Sequence, residues 1–365
     1  MKDPRVKELA EILVNYSTAV KEGDVVLISA AGFQCLPLVK EIYALCLQNG
    51  AKYVTWEFSN ADMAKVFYDN ASEDQLKFFP QHRLDLMKQV DVYIGIAAPD
   101  NTMALAEANQ GAMLTNMRTM RPITDQRVEH TRWVVTRYPT QAAAQDAKMS
   151  LDDYENYVFN ACCIDWNAMS AKQDKLRALM EAADRVTIRS ADTHLTLSIK
   201  GIPAIKCDGL RNMPDGEVYT APIRDSVEGH IVYNCRTIYN GKEFPDVRLE
   251  FQEGKVVRAS TSGNQNDLEM ILNTDEGARY IGEFALGINP GIRRATGSIL
   301  FDEKIALSLH TALGSCYNEC PNGNKSAIHW DLIKILDTEG EIWFDENLIQ
   351  KDGSYVHPDL LDLNP

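Results

Sequence analysis

The feature that most restricts the fold of this chain is a change of texture near residue 185. Up to that point, apolar strand-length runs alternate with amphipathic helical patterns. The runs are DVVLISA (24–30), AKYVTWEF (51–58), DVYIGIAA (91–98) and RWVVTRY (132–138). Strands that are apolar almost throughout are covered on both faces, which is the condition of a parallel sheet with helical crossovers. The separating segments fit that role. RVKELAEILVNYSTAV, entered through Pro4, places Val6, Leu9, Ile12 and Leu13 on one face, and LPLVKEIYALCLQNGA closes with Gly50 as a C-cap candidate. Residues 1–185 are therefore expected to form a Rossmann-like α/β domain. The first strand runs into ISAAGFQCLP, which lacks the G-x-G-x-x-G turn, so no bound dinucleotide is expected.

A helical stretch, SLDDYENYVFNACCIDWNAMSAKQDKLRALMEAAD, leads out of this region, and the periodicity then changes to two. DRVTIRS, HLTLSIKG, IVYNCRTIYNG, DVRLEFQEG and VVRASTS alternate polar and apolar residues and end near Gly, Asn or Asp. RLEFQEGKVVRA reads as a hairpin turning at Glu253-Gly254. Residues 186–365 are expected to form a second, β-rich domain. A chain of 365 residues exceeds the roughly 250–300 that one core serves.

Composition narrows the partners. A formal net charge of −15 argues against nucleic acid, which requires a basic face. The chain opens on the polar MKDPRVKELAE, and its apolar runs fall well short of the ~20 residues of a membrane span, so a cytoplasmic protein without membrane association is expected. Eight cysteines without a C-x-x-C pair support neither a zinc ribbon nor a thioredoxin-type site. Cys316 and Cys320, on either side of Tyr317, read as small packed thiols.

Chemistry concentrates in the last third. Glu217, Glu283, His310, Tyr317, His329 and Asp331 lie in GEVYTAPIRDSVEGH, IGEFALGINPG, HTALGSCY and SAIHWD. Two carboxylates, a His-x-Asp pair and a further His suit Zn²⁺, Mn²⁺, Co²⁺ or Mg²⁺. On a strand, His329 and Asp331 point to one face while Ile328, Trp330 and Leu332 point into the core. Taken singly, each residue has a plainer reading. His329 and Asp331 could be a hydrogen-bonded pair, His310 a satisfied core histidine and Tyr317 a loop aromatic. Glu217 follows the turn Pro214-Asp215-Gly216 and starts a strand. Glu283, in an apolar stretch, must be paired or bound to a cation. Arg224, Asp225, Glu228 and His230 read as surface residues.

Jointly these segments resemble the thermophilic-type metalloaminopeptidases (the aminopeptidase T, AmpS and PepS family). The resemblance runs through DGEVYTAPIRDSVEGH, GEFALGINP, ILFDEKIALSLHTALG and SAIHWD. In the first half it extends through GFQCLPLVKEIYALCLQNGAKYV, NMRTMRP and MSLDDYENYVF. It implies metal ligands at Glu217, Glu283, His310, His329 and Asp331, a catalytic tyrosine at Tyr317, and a two-domain homodimer with a cocatalytic metal pair. Arg224 departs from the acidic residue usual before Asp225-Ser226. The expected activity is removal of the N-terminal residue from peptides with a free N-terminus. Two divalent ions (Zn, Co, Mn or Mg) would activate a bridging water, with Glu217 or Glu283 bridging the ions. Glu217 and Tyr317 are the expected catalytic residues. The rival is a mononuclear non-haem Fe(II) ring-cleaving dioxygenase built on His310, His329 and Asp331 as a facial triad. Glu217 and Glu283 supply two ligands more than such a site needs.

Overall fold

The computed structural model describes residues 3–239, 241–336 and 339–365. The chain forms two compact units, Met1–Cys163 with Gly209–Pro214, and Ile164–Asp208 with Asp215–Pro365. The first is the expected α/β layer structure. Its sheet has five parallel strands in the order Tyr53–Ser59, Val25–Ala31, Val92–Ala97, Arg132–Arg137 and Asn212–Met213. Val26, Ile28, Val92, Ile94 and Val134 are fully buried, as their continuous apolar runs require. The first helix, Pro4–Glu11, is capped by Asp3 accepting from the Arg5 amide, and continues as a π-helical stretch, Ile12–Ser17. Together they bury Leu9, Leu13 and Val14. Gly50 has φ +82°, the left-handed geometry of a helix C-cap, after the helix Leu36–Gln48.

The second unit is antiparallel. An eight-stranded sheet contains Arg185–Ser190, Thr193–Ser198, Glu228–Tyr233, Val247–Gln252 and Lys255–Ser260. The hairpin turns at Glu253 and Gly254, both at positive φ (+48° and +79°), as two-residue hairpins demand. A five-stranded sheet runs in the order His329–Ile335, Ser308–Gly314, Ile281–Gly287, Glu217–Thr220 and Ile205–Cys207. One face carries Val218, Phe284, Leu286, Leu309, Leu313, Trp330 and Leu332, all buried. On that face the Tyr233 and Thr311 hydroxyls, one from each sheet, lie 2.6 Å apart.

The units divide differently from the expected cut at 185–186. The helix Trp166–Ala182 belongs to the second unit, where Gln173 donates to the backbone oxygens of Cys207 (2.7 Å) and Glu217 (3.2 Å). Gly209–Pro214 returns to the first unit, because Asn212–Met213 supplies its fifth strand. Among the described residues no helix is long and apolar enough to cross a membrane.

Candidate metal centre

The opposite face of the five-stranded sheet carries the site. Residues directly opposite one another in antiparallel strands share a face. The registers Glu217–Gly287, Ala285–His310, Glu283–Ala312, Ala312–Asp331 and Gly314–His329 therefore put all five expected ligands on one side. Between them on this face lie the small residues Ala285, Gly287, Ser308, Ala312 and Gly314, with the larger Tyr219 and Ile333 opposite Ala285 and His310. Glu283 follows a bulge at Gly282, where the pairing slips. A Cβ at Gly282 would lie 2.4 Å from the Gly314 carbonyl oxygen and 2.5 Å from that of Ser315, so only glycine admits this close approach.

Two triads result, and Glu283 belongs to both. In one, His310 Nε2 is 3.5 Å from Glu217 Oε2 and 3.5 Å from Glu283 Oε1. In the other, His329 Nε2 is 3.1 Å from Glu283 Oε2 and 3.4 Å from Asp331 Oδ1. Ligands bonded at about 2.1 Å in a tetrahedral shell stand about 3.4 Å apart, so these spacings are those of ion-sized cages. Glu217, Glu283 and His310 are buried, while His329 is partly open. Glu217 Oε2 and His329 Nε2, both facing the site, have no hydrogen-bond partner, a costly state for buried polar atoms unless a ligand satisfies them. His329 Nδ1 lies 2.9 Å from the Ser315 carbonyl oxygen, which can only accept. A proton is thus held on Nδ1, and Nε2 is the ring atom that faces the carboxylates.

Electrostatics point the same way. The ammonium of Lys304 contacts Asp215, Glu217 and Glu303, and with Glu283 and Asp331 beside the histidines the site gathers five carboxylates against that one lysine. Their excess of four negative charges is what two divalent ions would balance. Burial pushes Glu217 up to about 8 against the pull of Lys304. Burial would also raise Glu283, but the adjacent imidazoles of His310 and His329 outweigh it and hold the carboxyl at about 2. Burial opposes protonation of both imidazoles, yet Glu283 with Glu217 raises His310 to about 9, and Asp331 with Glu283 raises His329 to about 11. Without other cations, the histidines are drawn into supplying the missing positive charge. The donor set, the spacing and the charge deficit all fit a pair of divalent ions.

Tyr317 lies in the irregular segment after Gly314, with its ring 4.8 Å from that of His329 and 5.3 Å, edge-on, from that of Tyr219. Burial and the surrounding carboxylates raise its phenol well above the ordinary value, so it remains a hydrogen-bond donor. His310 lies mid-strand, in Ser308–Gly314. Arg224, expected at the surface, has its guanidinium 3.6 Å from the centroid of the Tyr280 ring and donates to Asn324. Sequence reasoning missed Asp215, Glu303 and Lys304. The available signal was the charged triplet Asp302-Glu303-Lys304 inside the apolar run ILFDEKIALSLH.

The family model of the thermophilic metalloproteases (M29) matches residues 2–353. Aminopeptidase 2 of Geobacillus stearothermophilus is 26% identical over 359 residues, covering 86% of this chain and 84% of that protein. Aminopeptidase AmpS of Bacillus subtilis (strain 168) is 24% identical over 370 residues, covering 90% and 88%. In fold, the chain superposes on wild-type AmpT from Thermus thermophilus with a TM-score of 0.84 at 21% identity, over 97% of this chain and 99% of that one. It superposes less closely on 2,5-dihydroxypyridine dioxygenase from Pseudomonas putida KT2440, with a TM-score of 0.59 at 14% identity, over 98% of each chain. The chain belongs to the thermophilic metalloprotease family, M29, and is a metal-dependent peptidase.

Proposed function

We propose that this protein is a dinuclear metalloaminopeptidase that hydrolyses the N-terminal residue from peptides with a free N-terminus. The observation that carries this reading is the membership of Glu283 in both triads. Glu217, Glu283 and His310 would hold one ion, and Glu283, His329 and Asp331 the other, with Glu283 as the bridging carboxylate. When bound, two such ions supply a water acidified toward a pKa of about 7 and polarise the scissile carbonyl. Glu217 and His310 are set in the rigid sheet, and the Ser315 carbonyl fixes the ring of His329. Tyr317 stays protonated and partly exposed beside His329, where its hydroxyl can donate to the oxyanion that develops as the carbonyl is attacked. Glu303 lies in the same cluster outside both triads. Burial and the charge of Asp331 raise its carboxyl against the pull of Lys304, which suits it to pass a proton to the leaving amine.

The names of the aminopeptidase relatives support the exopeptidase assignment. All eight cysteines are free thiols, which suits a reducing cytoplasm. The resemblance extends the reading to a homodimer. The dioxygenase alternative needs His310, His329 and Asp331 around one iron, whereas here Glu283 stands between His310 and the His329–Asp331 pair.

The test is hydrolysis of aminoacyl-p-nitroanilides by protein stripped with a chelator and refilled with Zn²⁺, Co²⁺, Mn²⁺ or Mg²⁺. Metal-restored cleavage of free-amine substrates, absent with N-acetylated ones, is the expected result. Two ions per chain fit the aminopeptidase, whereas one iron with oxygen-dependent turnover would transfer the assignment to the dioxygenase.

A further inference from the structure

Beside the two triads lies a third group of potential ligands. Cys207, Asp215 and Glu217 present a sulfur and two carboxylate oxygens within 4.8 Å of one another. Cys207 pairs directly with Glu217 across the antiparallel strands, so both side chains rise from the same face. A thiolate with two carboxylates is a competent set for Zn²⁺-like ions. Glu217 would then be pulled two ways, toward His310 and toward Cys207.

Another cation already stands there. Lys304 is completely buried, with Nζ 3.5 Å from Glu217 Oε1 and 4.0 Å from Asp215 Oδ1, and it also contacts Glu303. The backbone delivers it deliberately. Gly287, opposite Glu217 in the sheet, has no side chain, and a Cβ there would meet the Ile305 oxygen at 2.4 Å and the Glu303 oxygen at 3.0 Å. The segment carrying Lys304 therefore lies directly on the sheet at that point, held by the Asn289 amide donating to the Lys304 carbonyl at 3.2 Å. A buried ammonium is stable only where carboxylates compensate its lost hydration. The ammonium engages Glu217 through Oε1, leaving Oε2 directed at His310.

We propose that Lys304 is a built-in cation that fills the Cys207–Asp215–Glu217 triad, excludes a metal ion from it, and turns Glu217 toward the His310 position. Lys304 is a positioning residue in this scheme. The proposal rests on the dinuclear reading above, and the experiment separates the two.

The measurement is the bound Co²⁺ count after dialysis, with the absorption spectrum, for the wild type, Lys304→Met, Cys207→Ser and the double variant. The wild type should hold two ions per chain and show no thiolate-to-cobalt charge-transfer band. Lys304→Met should take up a third ion and gain that band, and the double variant should lose it. Lys304→Met with two ions and no band overturns the proposal while leaving the dinuclear centre standing. Fewer than two ions in the wild type overturns the dinuclear reading and, with it, this one. If Lys304→Met does not fold, Cys207→Ser decides alone. An unchanged count and spectrum supports the lysine as occupant, and a lost ion or band shows metal on Cys207 despite the lysine and overturns it.

Discussion

Replacing Gly282 by alanine tests how the sheet builds the centre. The new Cβ would sit 2.4 Å from the Gly314 oxygen, 2.5 Å from the Ser315 oxygen and 2.7 Å from the Ser315 carbonyl carbon. Gly282 is not at a positive φ, so the cost is one of space alone. All three obstacles are backbone atoms and cannot swing away as a side chain would. Overpacking of this kind costs about 1–3 kcal/mol, and with three backbone clashes the upper end applies, ~3 kcal/mol. For a unit of this size each kcal/mol moves Tm by about 2–4 °C, so the metal-free variant should melt roughly 6–12 °C lower. The Ser315 carbonyl pushed aside is also the acceptor that orients His329. Disturbing such an outer partner weakens metal binding by about 10–100-fold. Scanning calorimetry of the stripped protein and a competitive Zn²⁺ titration read the two effects separately. Gly111→Ala, in the helix Gln110–His130, is the control that should leave metal affinity unchanged. A Gly282→Ala protein with wild-type Tm and wild-type affinity would refute the close-approach argument.

Other outcomes follow from the same geometry. Glu283→Gln should lower the affinity of both metal positions, read as fewer than one tightly held ion per chain, whereas Asp331→Asn should weaken one position and spare the other. Tyr317→Phe should reduce kcat by about 10²–10³-fold, the loss of one oxyanion donor, with unchanged metal content. In the metal-free protein His310 and His329 have folded pKa values raised to about 9 and 11, so their contribution to stability is complete below pH ~6.5 and disappears as pH rises through those values. The metal-free Tm should therefore fall between about pH 7 and 11, and the loaded protein, whose ligating imidazoles are already neutral, should show a flatter profile.

The central strands Val25–Ala31 and Val92–Ala97 were legible because burial on both faces leaves unbroken apolar runs, whereas Tyr53–Ser59, at the sheet edge, is largely exposed. The proposed ligand residues stood out in the sequence because a charged or imidazole side chain in an apolar strand, as at Glu283 and His310, requires a partner. Asn212–Met213 was not legible, since two residues carry no periodicity. The assignment of Trp166–Ala182 to the second unit depends on Gln173, whose hydrogen bonds to Cys207 and Glu217 link residues distant in sequence. Lys304 was hidden for a related reason. A lysine between Glu303 and Ile305 reads as solvated, and only the pairing of Gly287 with Glu217 explains why the chain carries it inward.

The double membership of Glu283 has a thermodynamic consequence. Two sites that share a ligand are linked, and whatever one occupant does to the affinity of the other must be returned in equal measure. In the dinuclear reading proposed above, the first ion would lock the carboxylate in the orientation the second requires but would also spend part of its charge. An enzyme that worked only when doubly loaded would then answer to metal supply more steeply than either site would alone, and would become a gauge of the free metal around it.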